Sequence, residues 1–511
     1  MAKFLSFIKR IFSRLFVVGA AVIIQVLLIA YFISQLSSYF YFQLASTLIG
    51  ILVFVLVVNQ RTNPEQKFIW AFLIIVFPII GIILYILFQI NLPVIRRFKK
   101  YSKFDSSITE ISTDKKEEIY KIANNYQGQI KYIEYMSKMH AYKNTECTYL
   151  KDGKEFYDQL VKDLKSAKKY IFMEYFIINP GTMWDSILEI LKVKVEEGVE
   201  VKLIYDDLGS AKYVRGNYYK TLRRYGIECY KFNRMVPLVS SYHNNRDHRK
   251  ITIIDGYIGY TGGINLSDEY MNLTNPYGYW KDNAVRLRGA AVNNLLILFL
   301  QNFSIVSQTK QDYKKYLYEI NEHTDIVNDE IIVPYGTGPR NRYYENFASD
   351  VFINLISQAK KSIDISTPYL IIDYAITNSL IAAVARGVEV RILIPSKPDK
   401  KTIYAFTKHT AHELSKYGIK IYTYTPGFNH AKSFLVDDEV AFIGTTNLDY
   451  RSLMHHYECG VWIYNSSCIT KIDENFENDY SQSKLMKTEQ LQYNIFLRII
   501  ISFLKIFQSL L

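Results

Sequence analysis

Cysteine is scarce in this chain. Its 511 residues include four, Cys147, Cys229, Cys459 and Cys468, and their spacing fits neither a zinc site nor a Cys-x-x-Cys redox pair. That argues against a disulfide framework and predicts isolated, reduced thiols. Acidic side chains are the minority charge: 49 Asp and Glu stand against 61 Lys and Arg, a net charge of +12. Such a balance favours an anionic partner, either nucleic acid or an anionic membrane. No short repeat of ~20–50 residues recurs, which excludes a solenoid. No convincing small-residue cleavage site follows the first apolar run, which argues against a signal peptide.

Long uncharged apolar runs are present, and they crowd the first 92 residues. Leu15–Ile33, Phe40–Val58 and Phe68–Ile90 are each long enough to cross a bilayer at roughly 1.5 Å per residue of helix. Pro78 and Gly81 lie inside the third run and predict a kink or a segment that dips back. Lys3, Lys9, Arg10 and Arg14 precede the first run, and Arg96-Arg97-Phe98-Lys99-Lys100 follows the third. Three full spans put these basic flanks on opposite sides, so the positive-inside rule cannot satisfy both. We place Arg96–Lys100 on the cytoplasmic side, against anionic headgroups.

Beyond a polar linker the pattern changes to strands alternating with helices. Lys154–Lys165 reads as an amphipathic helix with Phe156, Leu160, Val161 and Leu164 on one face. Tyr170–Ile178 reads as a strand, Trp184–Glu197 as a helix closed by Gly198, and Val199–Tyr205 as the next strand. The order then recurs. Ala359-Lys360-Lys361, Gly387-Val388-Glu389-Val390 and Tyr417-Gly418-Ile419 repeat Ala167-Lys168-Lys169, Gly198-Val199-Glu200-Val201 and Tyr225-Gly226-Ile227 at offsets of 192, 189 and 192 residues. This predicts an α/β fold made of one duplicated domain, the copies packed about a pseudo-two-fold axis.

The chain is organised around Asn244-Asn245-Arg246-Asp247-His248-Arg249-Lys250, which runs through an apolar stretch to Asp255 and then to Gly262-Gly263-Ile264-Asn265. A second copy comprises His430-Ala431-Lys432, Asp437 and Gly444-Thr445-Thr446-Asn447. In both copies His and Lys are two apart, Asp follows Lys by five, and Asn follows Asp by ten.

This duplicated His-x-Lys-x4-Asp pattern resembles the phospholipase D superfamily. Further stretches sharpen the resemblance: Glu174-Tyr175-Phe176, Tyr205-Asp206-Asp207, Trp280-Lys281-Asp282, Thr367-Pro368-Tyr369 and Asn447-Leu448-Asp449-Tyr450-Arg451-Ser452. Together with the apolar spans around Asn63-Pro64-Glu65-Gln66-Lys67, the chain is similar to the bacterial cardiolipin synthases over roughly residues 40–511. The resemblance implies a basic flank and first transmembrane segment over 1–37, a transmembrane hairpin over 38–92 and a linker over 93–140. Two phospholipase D-like domains would follow at 141–325 and 326–488, then a C-terminal amphipathic membrane-associated helix at 489–511, with Arg498 and Lys505 on one face.

The implied reaction is phosphatidyl transfer between two phosphatidylglycerol molecules, giving cardiolipin and glycerol through a phosphohistidine. Water or another alcohol as acceptor is the alternative. Lys250 and Lys432 would bind the phosphate oxygens as ammonium groups, so no metal or other cofactor is expected. A neutral imidazole attacks phosphorus while its protonated twin serves the leaving alcohol. The resemblance assigns attack to His248 and the acid–base role to His430. Asp255 and Asp437 are expected at the catalytic site, with Asn265 and Asn447 donating amide hydrogens to phosphate. Thr445 carries a hydroxyl that Gly263 lacks, so the halves should be unequal. Glu174, Asp206, Asp207, Asp282, Asp449 and Glu458 are outer candidates. His455 and His456 stand where the family carries Asn and are expected to be satisfied surface histidines. His243, His409 and His412 match no motif position. The expected partners are phosphatidylglycerol and cardiolipin in an anionic bilayer, with an oligomer allowed and no nucleic acid. The expected location is the cell membrane, multi-pass, with the catalytic domains on the cytoplasmic side.

Overall fold

The computed structural model describes residues 14–36, 39–60, 62–89, 113–235, 244–318, 326–339 and 346–487, together with Lys505. The basic Arg96–Lys100 stretch, His243 and, Lys505 apart, the 489–511 segment lie outside the described residues.

Four apolar helices come first: α1 (Arg14–Leu36), α2 (Phe40–Val58), α3 (Pro64–Val76) and α4 (Pro78–Gln89). Among the described residues, α2 is the one helix long and apolar enough to cross a membrane, and only 11% of its most apolar window is buried. The expected third span is not one helix. Pro78 lacks an N–H and disfavours helical geometry at the residue before it, and the chain breaks at Phe77 (φ −132°, ψ 73°). The pieces, 13 and 12 residues, are about 20 Å long at most. α4 folds back onto α3, and a Cβ on Gly81 would stand 2.5 Å from the Leu73 carbonyl oxygen. Val57, Trp70 and Ile74 form the buried centre of this bundle. Asn63 starts α3: its Oδ1 accepts the Glu65 N–H at 2.9 Å, with Pro64 at the first helical position.

The catalytic region holds two large sheets and two two-stranded ones. The first half supplies β1 (Thr145–Leu150), β2 (Tyr170–Tyr175), β3 (Glu200–Asp206), β4 (Glu228–Phe232), β5 (Lys250–Ile254), β6 (Ile258–Gly262), β7 (Tyr279–Lys281) and β8 (Ala284–Gly289). The second supplies β9 (Ile331–Thr337), β10 (Ser362–Ser366), β11 (Leu370–Ile371), β12 (Glu389–Pro395), β13 (Lys420–Tyr424), β14 (Gly427–Asn429), β15 (Ser433–Val436), β16 (Val440–Gly444), β17 (Leu448–Asp449), β18 (Glu458–Tyr464) and β19 (Ser483–Leu485). From one edge the first sheet runs β4-β3-β2-β5-β6-β8-β1, and the second β13-β12-β10-β15-β16-β18-β9 with β19 outside β13. Strand senses match as well: β2, β3 and β4 are parallel with β5 antiparallel to β2, and β10, β12, β13 and β15 repeat this. The duplication expected from the sequence is therefore a duplicated topology.

Burial explains the strand sequences. Every residue of β2 and β5 is buried, so both are mainly apolar on both faces, with Glu174, Lys250 and Thr252 the buried exceptions. Ile171, Met173 and Tyr175 pack with the helices Gly153–Ser166 and Thr182–Glu196. Phe172 faces the other way, into a core that also holds Phe299, Phe352, Phe434 and Trp462. That core is continuous across the two halves. β7 and β14 pair in parallel across the same boundary, Trp280 opposite Phe428 and Lys281 opposite Asn429.

Candidate active site

Each His-x-Lys lies at the entrance to a central strand, where the other half's backbone holds it. The His248 N–H donates to the Tyr457 carbonyl at 2.9 Å, and the His430 N–H to the Lys281 carbonyl at 2.7 Å. The side chains repeat this exchange. His248 Nδ1 lies 2.9 Å from Glu458 Oε2, and His430 Nδ1 lies 2.6 Å from Asp282 Oδ2. Each histidine is therefore oriented by a carboxylate of the opposite half, and each keeps Nε2 free of that contact. The fold thus crosses the supporting carboxylates over between the halves. Glu458 was an outer candidate and occupies this position, as does Asp282.

The aspartates of the two motifs do something else. Asp255 and Asp437 stand at the far ends of β5 and β15, roughly 3.3 Å of rise per residue away from the lysines. Asp255 accepts the backbone N–H groups of Lys168, Lys169 and Tyr170 at 2.7–2.9 Å. Asp437 does the same for Lys360, Lys361 and Ser362. Both have left-handed backbones, φ 54° and 55°. They are turn residues that fix the starts of β2 and β10, not members of the catalytic cleft.

Lys250 and Lys432 are buried, and their ammonium groups turn back on their own motifs. Lys250 Nζ donates to the His248 carbonyl at 2.6 Å, and Lys432 Nζ donates to the His430 carbonyl. Lys432 Nζ also lies 2.8 Å from His430 Nδ1. A proton on that nitrogen serves Asp282; a bare nitrogen accepts from Lys432. Burial, partly offset by Glu458 and Asp282, draws Lys250 down to about 8. Burial, with Lys250 nearby, draws Lys432 down to about 7. Burial lowers both imidazoles, His248 to about 3, so they are neutral near pH 7 in the empty cleft. Burial raises Asp282 to about 6. Glu458 moves the other way: burial would raise it, but His248 and His456 outweigh that and keep it ionised.

The halves differ at the positions the sequence singled out. The Thr445 hydroxyl donates to Glu458 Oε2 and contacts the Cys459 backbone. At the matching place a Cβ on Gly263 would fall 2.0 Å from Asp282 Oδ1. Glycine there makes room for the shorter carboxylate, which takes the Asn283 N–H at 2.9 Å instead. Gly263→Ser should therefore displace Asp282 and lower kcat about 10–100-fold, and Thr445→Ser should stay close to wild type; steady-state rates of the two variants check this.

Asn265 is buried and engaged within its own half: Oδ1 accepts the Ile177 N–H at 3.0 Å and Nδ2 donates to the Tyr270 hydroxyl at 2.6 Å. Asn447 is buried and its Oδ1 has no hydrogen-bond partner. Glu174 is fully buried behind the motif, held by Asn302 at 2.8 Å with Arg249 3.9 Å away. Asp449 caps the helix Tyr450–Met454 through the Ser452 N–H. Asp206 binds Arg246 at 2.7 Å and the Asp247 N–H at 3.1 Å, shaping the approach to His248. Asp207 takes the Met235 N–H and lies 3.2 Å from Lys231. Arg249 ties the boundary by donating to the carbonyls of Glu458, Leu298 and Thr337.

His456 is not a surface histidine, and His455 is only partly exposed, its Nε2 3.4 Å from Gln66 Nε2. The His456 ring stands 5.4 Å from that of His248, and its Nδ1 is 3.5 Å from Glu458 Oε1. Its side chain is 10% exposed. Among the described residues, His248, His456 and Glu458 are the group whose ligating atoms converge, within 4.8 Å. Two imidazoles and a carboxylate suit zinc, but Lys250 and Lys432 set positive charge against a dication. Aromatic rings complete the walls: Phe176 lies 4.9 Å from His248, and Trp280 and Tyr270 lie 5.4 and 5.6 Å from His430.

Similarity to known proteins agrees with this architecture. The sequence matches the family described as cardiolipin synthase, PLD-like domain, over residues 160–284 and 352–480. It matches the phospholipase D-nuclease N-terminal family over 48–89. A cardiolipin synthase of Alkalihalophilus pseudofirmus is 32% identical over 460 residues, 89% of this chain and 89% of that protein. An uncharacterized protein of Streptococcus mutans is 37% identical over 85% of this chain and 94% of its own length. Among solved structures, phosphatidylserine synthase of Haemophilus influenzae superposes with a TM-score of 0.59, covering 76% of this chain and all of that one at 15% identity, a likeness of fold. The chain belongs to the cardiolipin synthase family and is a transferase of the phospholipase D-like type.

Proposed function

We propose that the chain joins two phosphatidylglycerol molecules into cardiolipin and glycerol, through a phosphohistidine on His248. The observation that carries this reading is the crossed support of the two histidines, which gives one cleft two oriented imidazoles and two buried ammonium groups. Nε2 of His248 attacks phosphorus, and the bond to the glycerol oxygen breaks. His430 gives its Nε2 proton to that oxygen, and glycerol leaves. The terminal hydroxyl of a second phosphatidylglycerol then loses its proton to His430 and attacks. The P–N bond breaks, cardiolipin forms, and His248 is restored. Lys250 and Lys432 stabilise the non-bridging oxygens in both steps, with the Asn447 amide as a further donor.

Burial, with the neighbouring lysines adding to it, keeps the imidazoles neutral before substrate binds. A phosphodiester supplies the negative charge that lets His430 take up a proton, so acid competence follows substrate binding. The different supports favour this division: ionised Glu458 backs the attacking imidazole, whereas His430 shares its Nδ1 region between Asp282 and Lys432. In this reading the catalytic halves, 141–325 and 326–488, face the cytoplasm below a multi-pass anchor that includes α2.

Two measurements test it. The purified full chain, given phosphatidylglycerol in detergent, should release glycerol and form cardiolipin, and the rate should survive a chelator. Phosphatidic acid as the sole lipid product would overturn the transfer. The pH profile of kcat/KM should be bell-shaped. Asp282 loses its charge as pH falls through about 6, which sets the acid limb. Lys432 and Lys250 lose their protons as pH rises through about 7 and about 8, which sets the alkaline limb. Asp282→Asn should remove the acid limb; a profile unchanged by that substitution would assign the limb elsewhere.

A further inference from the structure

The Asn63-Pro64-Glu65-Gln66 stretch, the cap and first turn of α3, has no part in the chemistry above, yet it docks on the second catalytic half. Asn63 and Gln66 are 4% and 6% exposed, which is unusual for polar side chains at the start of a helix. Asn63 Nδ2 reaches Asp373 Oδ2 at 3.4 Å, and Asp373 itself caps the helix Tyr374–Ala385. Glu65 accepts the Tyr374 N–H at 3.1 Å through Oε1 and the Tyr450 hydroxyl through Oε2. Gln66 Nε2 lies 3.3 Å from Met454 Sδ and 3.4 Å from His455 Nε2.

Asn63 and Glu65 Oε1 hold the start of the helix Tyr374–Ala385, while Glu65 Oε2 and Gln66 reach one segment, the helix Tyr450–Met454 and the run His455-His456-Tyr457-Glu458 that follows it. The same run carries the carboxylate that orients His248 and the carbonyl that accepts its N–H. His456, next to the residue that Gln66 touches, stands beside both His248 and Glu458. Its two ring nitrogens and Glu458 Oε1 are buried without a hydrogen-bond partner. Within the run His456 has one polar contact, the 3.5 Å approach of Nδ1 to Glu458 Oε1, which is longer than a hydrogen bond, so its place depends also on what holds the backbone to either side.

We propose that this turn is a latch, with Gln66 and Glu65 as positioning residues that set the His455–Glu458 run, and through it His248, against the membrane hairpin. The hairpin then acts beyond anchoring: the catalytic geometry is complete only when it is docked. The proposal rests on the transferase reading for its rate assay but not for its docking assay.

The test uses the full chain in detergent micelles with phosphatidylglycerol and reads glycerol release, which is indifferent to the acceptor. Gln66→Ala should lower kcat about 10–100-fold with KM and the unfolding midpoint nearly unchanged. His455→Ala should do the same, and the double variant should be no slower than either single one. Docking is read separately: Glu65→Cys with Tyr374→Cys should be bridged by a short bis-methanethiosulfonate reagent, since the four native cysteines are buried. The bridged protein should release glycerol faster than the unbridged double variant. Failure to bridge would overturn the docking. A wild-type kcat in Gln66→Ala, or additive losses in the double variant, would overturn the positioning role. Glycerol release without cardiolipin would count against the proposed acceptor and leave the latch result intact.

Discussion

Asp282→Asn and Glu458→Gln are expected to cut kcat by about 10²–10⁴, the range that an acid–base group contributes, although neither residue belongs to a His-x-Lys-x4-Asp motif. Each carboxylate fixes the tautomer and orientation of a histidine from the other half. An amide of the same shape removes the charge that steadies the imidazolium and permits the wrong tautomer. The motif aspartates should behave in the opposite way. Asp255→Asn and Asp437→Asn should keep kcat within a few-fold and lose stability instead. Each collects three backbone N–H groups, and a hydrogen bond to a charged group contributes about 1.5–3 kcal/mol. Steady-state rates and thermal unfolding of the four variants, measured together, separate the two predictions. Loss of rate at unchanged midpoint in the Asp255 or Asp437 variants would return those residues to the catalytic site.

The second large effect concerns the histidines themselves. His248→Ala should abolish phosphatidyl transfer, because no other group forms the covalent intermediate. His430→Ala should also abolish turnover of phosphatidylglycerol, because the glycerol oxygen leaves only with a proton. The two variants part company with a donor whose leaving group needs none. Given a phosphatidyl ester of p-nitrophenol, His430→Ala should release one equivalent of p-nitrophenolate and stop, and His248→Ala should release none.

Much of the fold was legible because it is repeated. Helix and strand signals that are weak alone gained weight when Ala167-Lys168-Lys169 and Ala359-Lys360-Lys361 opened the same pattern, and the sheet orders bear that out. Repetition also misled. Asp255 and Asp437 recur because each half needs the same carboxylate to hold the turn before its second strand, and a repeat does not distinguish a structural need from a catalytic one. The crossed carboxylates were hidden for a related reason: spacing reports on a single half, while Asp282 and Glu458 act across the boundary that β7 and β14 create. A signal was present, an acid just before β8 and another at the start of β18, the corresponding strands of the two sheets, but only the packed halves give it meaning. His456 was discounted as a departure from the family pattern, yet its position in the chain still points into the cleft. Pro78 predicted the break in the third apolar run, and Gly81 explains why the second piece lies so close to the first.

The most direct test of one cleft with divided roles is to map the covalent adduct formed by His430→Ala with the p-nitrophenyl donor, digesting at alkaline pH to preserve a P–N bond. The account predicts a phosphatidyl adduct on the peptide carrying His248, stoichiometric with the p-nitrophenolate released. An adduct on any other residue, or a burst with His248 unmodified, would contradict it.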